Sequence, residues 1–267
     1  MEHRRRRSAA KGRESPDRRR RRSTTWLRQA PLWAAVAAGL GLVAMAVMAP
    51  LAFASRNSPS FVAPPTVAEE APAEPLSVAF LGDSYAAGTG TDSATKGFAR
   101  VAARNLGWAP VDVFAVGGTG YATAPETNYM SRASGVISVD PDIVVVNGTR
   151  NDAGVAPGAV AAAARSLYTT IKAGLPEADL LVIGPIWTSN AIPPNVMALN
   201  EALRQAATES GAVYYDALAP SSWLPGDPGQ ISPDGVHPTE AGHQIIARAF
   251  ADAVRSQQPD LAVYAAD

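Results

Sequence analysis

The 267-residue sequence contains no cysteine. Disulfide staples, thiolate nucleophiles and Cys-ligated metals are therefore excluded, and the redox compartment stays open. Histidine is scarce too: the chain has three, His3, His237 and His243. They are too few and too scattered for a His-rich metal centre, so no metal is expected. No P-loop pattern occurs, and neither Gly88-Thr89-Gly90 nor Gly117-Gly118-Thr119-Gly120 has the spacing of a dinucleotide-binding turn. No repeat of 20–50 residues is visible.

A formal net charge of −1 hides an asymmetry. Residues 1–28 hold eleven arginines and Lys11 against Glu2, Glu14 and Asp17; removing these from the 23 basic and 24 acidic residues of the chain leaves 11 and 21. The body is thus acidic by 10, which disfavours nucleic acid as its partner. The basic tail abuts an uncharged apolar run from Ala30 to Ala54, long enough at about 1.5 Å per residue to cross a bilayer core of about 30 Å. Arginines before such a run predict a cytoplasmic tail over 1–29, a single transmembrane anchor over 30–54 and an outward-facing remainder. The alternative is a long signal, cleaved after Ala54 at Ala52-Phe53-Ala54, with secretion of the domain. From Arg56 to Pro75 five prolines and three glutamates predict an extended spacer, so the linker is placed at 55–75 and the folded domain at 76–267.

In that domain apolar runs alternate with helical patterns. Strands are expected at Leu76–Leu81, Val111–Val116, Asp142–Val146, Leu180–Ile183 and Ala212–Tyr215. Helices are expected within Ser93–Leu106, Ala159–Ala173, Asn195–Ser210 and Thr239–Arg255. Continuous apolar strands are those buried on both faces, which predicts an α/β three-layer sandwich on a five-stranded parallel sheet. In the last helix Ala241, Ile245, Ile246, Ala249, Phe250, Ala253 and Val254 form the expected buried stripe.

The chemistry gathers where strands end. Gly82-Asp83-Ser84-Tyr85 closes the first strand, and Asp234-Gly235-Val236-His237-Pro238 precedes the last helix. A serine at such a turn with a histidine and a carboxylate three residues before it supplies a nucleophile, a base and a group that orients the base. Taken singly, Ser84 also suits a helix N-cap, with Asp83 making a turn. His237 is the candidate base because His3 lies in the tail and His243 falls inside the last helix, where a local hydrogen bond explains it better. Backbone donors for an oxyanion are expected from Ser84 itself and from the glycines of Gly117-Gly118-Thr119-Gly120-Tyr121. Asn151, in Asn147-Gly148-Thr149-Arg150-Asn151-Asp152, offers an amide donor; its other reading is a plain Asn-Asp turn.

In this order the blocks resemble the SGNH hydrolase superfamily, the GDSL-type lipases and esterases, over about Val78 to Val254. The resemblance implies a flavodoxin-like sheet and a serine esterase. Its catalytic residues would be Ser84, Asp234 and His237, with Ser84, Gly118 and Asn151 as the oxyanion hole. Two departures stand out: Tyr85 replaces the leucine of the family name, and Thr149-Arg150-Asn151-Asp152 replaces G-x-N-D, with Gly148 displaced by one. Gly118 is chosen over Gly117 and Gly120 by alignment. Tyr85, Tyr121 and Trp187 are expected to contact substrate. With no insertion large enough for a lid, the expected substrate is a small acyl ester, such as an acetyl group on cell-envelope polysaccharide. The same residues would also serve an O-acyltransferase, and the same fold a non-catalytic envelope-binding module.

Overall fold

A computed structural model describes residues 74–262. The tail, anchor and nearly all of the linker assigned above lie outside the described residues. Among those described, no helix is long and apolar enough to cross a membrane.

Five parallel strands form one sheet in the order β2-β1-β3-β4-β5: β1 (Val78–Gly82), β2 (Val111–Ala115), β3 (Ile143–Asn147), β4 (Asp179–Ile183) and β5 (Val213–Tyr215). All five coincide with the expected runs to within about two residues. The strand order reverses at β1, and in open α/β sheets ligands bind beyond the carboxyl ends of strands at such a switch. β1 and β3 are buried along their whole length, whereas β2, at the sheet edge, is half-buried throughout.

Successive strand residues point to opposite faces, and each face has its own core. Val78, Phe80, Val145 and Leu181 pack with α1 (Phe98–Leu106) and α5 (Glu240–Gln257). Ala79, Leu81, Val144, Val146 and Val182 pack with α2 (Ala133–Ser138), α3 (Pro157–Gly174) and α4 (Pro194–Glu209). Phe250 is the hub of the first core, edge-on to Phe80, Trp108 and Tyr215. Trp223 packs against it as well.

The helix ends follow local chemistry. Proline opens α3 and α4 at the first turn, where a missing N–H costs nothing. Thr239 caps α5 by accepting from the Gly242 N–H, with Glu240 in the first turn. Two expectations need correction. The six residues of α2 are too few to show a helical period, so this helix is absent from those expected. The buried face of α5 is Gly242, His243, Ile246, Ala247, Phe250, Ala251 and Val254, so Ala241 is exposed and His243 is turned into the core.

Candidate active site

Ser84 follows β1 directly, on a turn closed by Ala87 N–H to Asp83 C=O (3.0 Å) and Thr89 N–H to Ser84 C=O (2.9 Å). It does not cap a helix. Asp83 instead forms the turn, accepting from the Tyr85 N–H at 2.9 Å. The Asp83 side chain is buried, and its further partners are the amides of Asn147 (3.2 Å) and Asn151 (3.4 Å). Loss of solvation outweighs these donors and pushes its carboxyl up to about 6.

Asp234 and His237 lie on a hairpin before α5. Its register is set by Ser232 N–H to His237 C=O (2.8 Å), Gly235 N–H to Ser232 C=O (2.9 Å) and Thr239 N–H to Gln230 C=O (2.9 Å). One Asp234 oxygen accepts from the N–H groups of Val236 (2.9 Å) and His237 (3.0 Å). The other stands 2.6 Å from His237 Nδ1. The histidine ring and these backbone donors together hold the Asp234 carboxyl down at about 2. The carboxylate therefore carries its charge at any ordinary pH and fixes the tautomer with Nε2 free to accept a proton.

The Ser84 hydroxyl and the His237 ring are brought to the same end of the sheet without a hydrogen bond between them. Tyr85 provides the link: its hydroxyl donates to the Val236 carbonyl at 2.6 Å, and its ring centroid lies 6.3 Å from that of His237.

The loop after β2 supplies the second wall. Gly118 is exposed, in left-handed backbone at φ 76°, with open space where a side chain would be. Neither its N–H nor that of Ser84 donates to another group among the described residues. Gly117 lies against the serine, since a Cβ there would stand 3.6 Å from that of Ser84. Gly120 is required for a different reason, because a Cβ would fall 2.4 Å from the Asp152 carboxylate and only glycine lets the chain pass. Asp152, fully buried, accepts from the N–H groups of Tyr121 (2.7 Å), Ala122 (3.3 Å) and Thr123 (2.7 Å), and so shapes this loop from below.

Asn151 is half-buried between the two walls, its amide donating to the Thr119 carbonyl at 2.8 Å and to Asp83. Arg132 ties the walls together from behind. Its guanidinium donates to the carbonyls of Gly82 (3.0 Å), Phe114 (3.3 Å) and Thr127, and to the Thr119 hydroxyl (3.1 Å). Nothing in the sequence marks Arg132, whereas Asp152 is visible there as the neighbour of Asn151.

Three aromatic assignments change or sharpen. Tyr121 is buried and its hydroxyl pairs with that of Tyr168 at 2.6 Å inside the second core, so it cannot touch substrate. Tyr85 is also buried, its hydroxyl spent on the histidine hairpin. Trp187, half-buried beyond β4, remains beside the site with the Arg150 guanidinium 4.6 Å above its ring. His243 is fully buried, accepting from the Phe98 N–H at 3.1 Å and standing 3.0 Å from the Thr89 carbonyl. Burial pushes its pKa down, and with both nitrogens engaged it serves as a neutral tie between α5 and α1.

Both the sequence and the fold have known counterparts. The sequence model of the GDSL-like lipase/acylhydrolase family matches residues 80–245. A GDSL lipase of Mycobacterium tuberculosis is 34% identical over 181 residues, covering 64% of this chain and 78% of that protein. Among solved structures, TesA superposes with a TM-score of 0.56 at 20% identity, covering 67% of this chain and 98% of that one. A family two carbohydrate esterase from Clostridium thermocellum, solved in complex with cellohexaose, gives 0.55 at 21%, covering 70% and 66%. The structures share the fold, and the sequence matches carry the family: the chain belongs to the GDSL-like lipase/acylhydrolase family and is a hydrolase of the SGNH type.

Proposed function

We propose that the protein is a serine esterase in which Ser84 attacks the ester carbonyl, His237 takes the serine proton through Nε2, and Asp234 holds the imidazole and its positive charge. The leaving alcohol then receives that proton from His237. A water deprotonated by the same ring releases the acid from the acyl-enzyme. The N–H groups of Ser84 and Gly118 would receive the oxyanion, joined by the Asn151 amide, whose 3.4 Å bond to Asp83 is the one that gives way. The observation behind the assignment is the 2.6 Å Asp234–His237 contact on a hairpin that Tyr85 bonds to the serine turn.

For substrate we favour small acyl groups, acetyl foremost, on glycans. The structural likeness to a carbohydrate esterase in complex with cellohexaose supports this reading, as does the absence of an inserted lid domain among the described residues. The basic tail and apolar run support a location of the domain outside the cytoplasmic membrane. Hydrolysis of p-nitrophenyl acetate, butyrate and palmitate, by wild type and by Ser84→Ala and His237→Ala, tests the chemistry. Turnover that falls with chain length and is lost in both variants is expected; equal turnover in the variants would refute the assignment. Topology is testable because the chain lacks cysteine. One cysteine introduced on the exposed face of α5 should react with a membrane-impermeant maleimide in intact cells.

A further inference from the structure

Arg150 occupies the position just before Asn151, and its guanidinium lies over the Trp187 ring, 4.6 Å from the centroid. One terminal nitrogen reaches the Tyr85 hydroxyl at 3.3 Å and the Val236 carbonyl at 3.5 Å, both longer than a strong charged hydrogen bond. Its other two nitrogens donate to nothing among the described residues, and no carboxylate there pairs with it. Several other arginines are engaged. Arg165, Arg204 and Arg255 are paired with Glu209, Glu201 and Asp252, and Arg132 is surrounded by oxygen acceptors. The nearby acids are otherwise engaged: Asp234 holds His237, and Asp83 is buried beneath Asn147 and Asn151.

A half-buried guanidinium with unused donors, stacked on an indole and set between the serine turn and the histidine hairpin, is a ready receiver for a planar anion. Its contact with Val236 puts it on the side of His237. That is the side from which the leaving alcohol takes its proton.

We infer that Arg150 and Trp187 form a subsite for a carboxylate on the alcohol part of the ester, so that the preferred substrate is an acyl ester of an acidic alcohol such as an acidic sugar. The inference rests on the esterase reading above and narrows it. Trp187 backs the guanidinium at 4.6 Å, and the guanidinium offers the fork that matches a carboxylate.

The test compares the sodium salts of 3- and 4-acetoxybenzoic acid with their neutral methyl esters at the carboxyl, all releasing acetate from a phenol. The quantity read is the ratio of kcat/KM for the charged over the neutral acetate. That ratio should fall roughly 10- to 100-fold in Arg150→Gln, the worth of a charge-assisted hydrogen bond, and less in Arg150→Lys. Ratios unchanged in Arg150→Gln would overturn the subsite, while Ser84-dependent hydrolysis would leave the esterase reading intact. Binding of the same compounds to Ser84→Ala, measured by calorimetry, needs no turnover. Tighter binding of the charged compounds, lost on adding Arg150→Gln, supports the subsite even if hydrolysis fails; equal binding of charged and neutral compounds refutes it.

Discussion

The Tyr85 hydroxyl reaches across 151 residues of sequence to donate to the Val236 carbonyl at 2.6 Å. The residue after the proposed nucleophile thereby holds the residue before the proposed base. Tyr85→Phe keeps the buried ring and removes this bond, together with the longer 3.3 Å contact from Arg150. It is expected to lower kcat several-fold, with a stability loss of about 1 kcal/mol. Steady-state kinetics beside a thermal melt checks it, and unchanged kcat would assign Tyr85 to packing alone.

The backbone of the glycine loop depends on one carboxylate. Asp152→Ala strips acceptors from the N–H groups of Tyr121, Ala122 and Thr123. Unpaired buried donors cost about 1–3 kcal/mol each before relaxation. A fall in Tm is expected together with a loss of kcat of at least about tenfold, because the Gly118 N–H would lose its place.

Two glycines of the same loop should respond differently to alanine. Gly120→Ala drives a methyl into the Asp152 carboxylate and should destabilise the fold by several times the cost of Gly118→Ala. Gly118→Ala meets no atom, so its cost is that of left-handed backbone, about 1–2 kcal/mol. Its larger effect should be on kcat. Equal melting temperatures for the two variants would contradict the close approach at Gly120.

Asp83 gives a pH signature. Its folded pKa of about 6 lies above the ordinary 3.8, so the folded state holds the proton more tightly than the unfolded chain. The stability this provides is complete below pH 4 and is lost as pH rises through 6, a difference on the order of 3 kcal/mol. Asp83→Asn should flatten that slope, losing less stability than wild type between pH 4 and pH 8. Asp234, with its pKa held down at about 2 from the ordinary 3.8, acts in the opposite sense, and its contribution is lost as pH falls below 3.8 through about 2. Melting curves at half-unit intervals separate the two.

Much of this was legible in the sequence because apolar runs and turn residues act locally. All five strands and the four long helices stand where hydrophobic period and flanking chemistry put them, and the Asp234-x-x-His237 contact is a property of one short hairpin. What was hidden depends on distant partners. Arg132 is an ordinary arginine until β1, β2 and its own segment converge around it. Tyr121 is hidden for the same reason: it lies beside a loop glycine in sequence, and only the fold shows its ring turned inward onto Tyr129 and Tyr168. The buried face of α5 departs from the apolar stripe because His243, polar by type, is satisfied by the Phe98 N–H and the Thr89 carbonyl and so tolerates burial.

The hairpin that carries Asp234 and His237 has a mechanical consequence. The proposed base and its carboxylate sit three residues apart on a loop closed by its own main-chain bonds, so they travel together. A displacement of that loop changes the reach from imidazole to serine and leaves the electronic character of the imidazole untouched. The orientation of the ring and its reach are thus separate adjustments, the first written into a few neighbouring residues and the second into the distant tyrosine that tethers them.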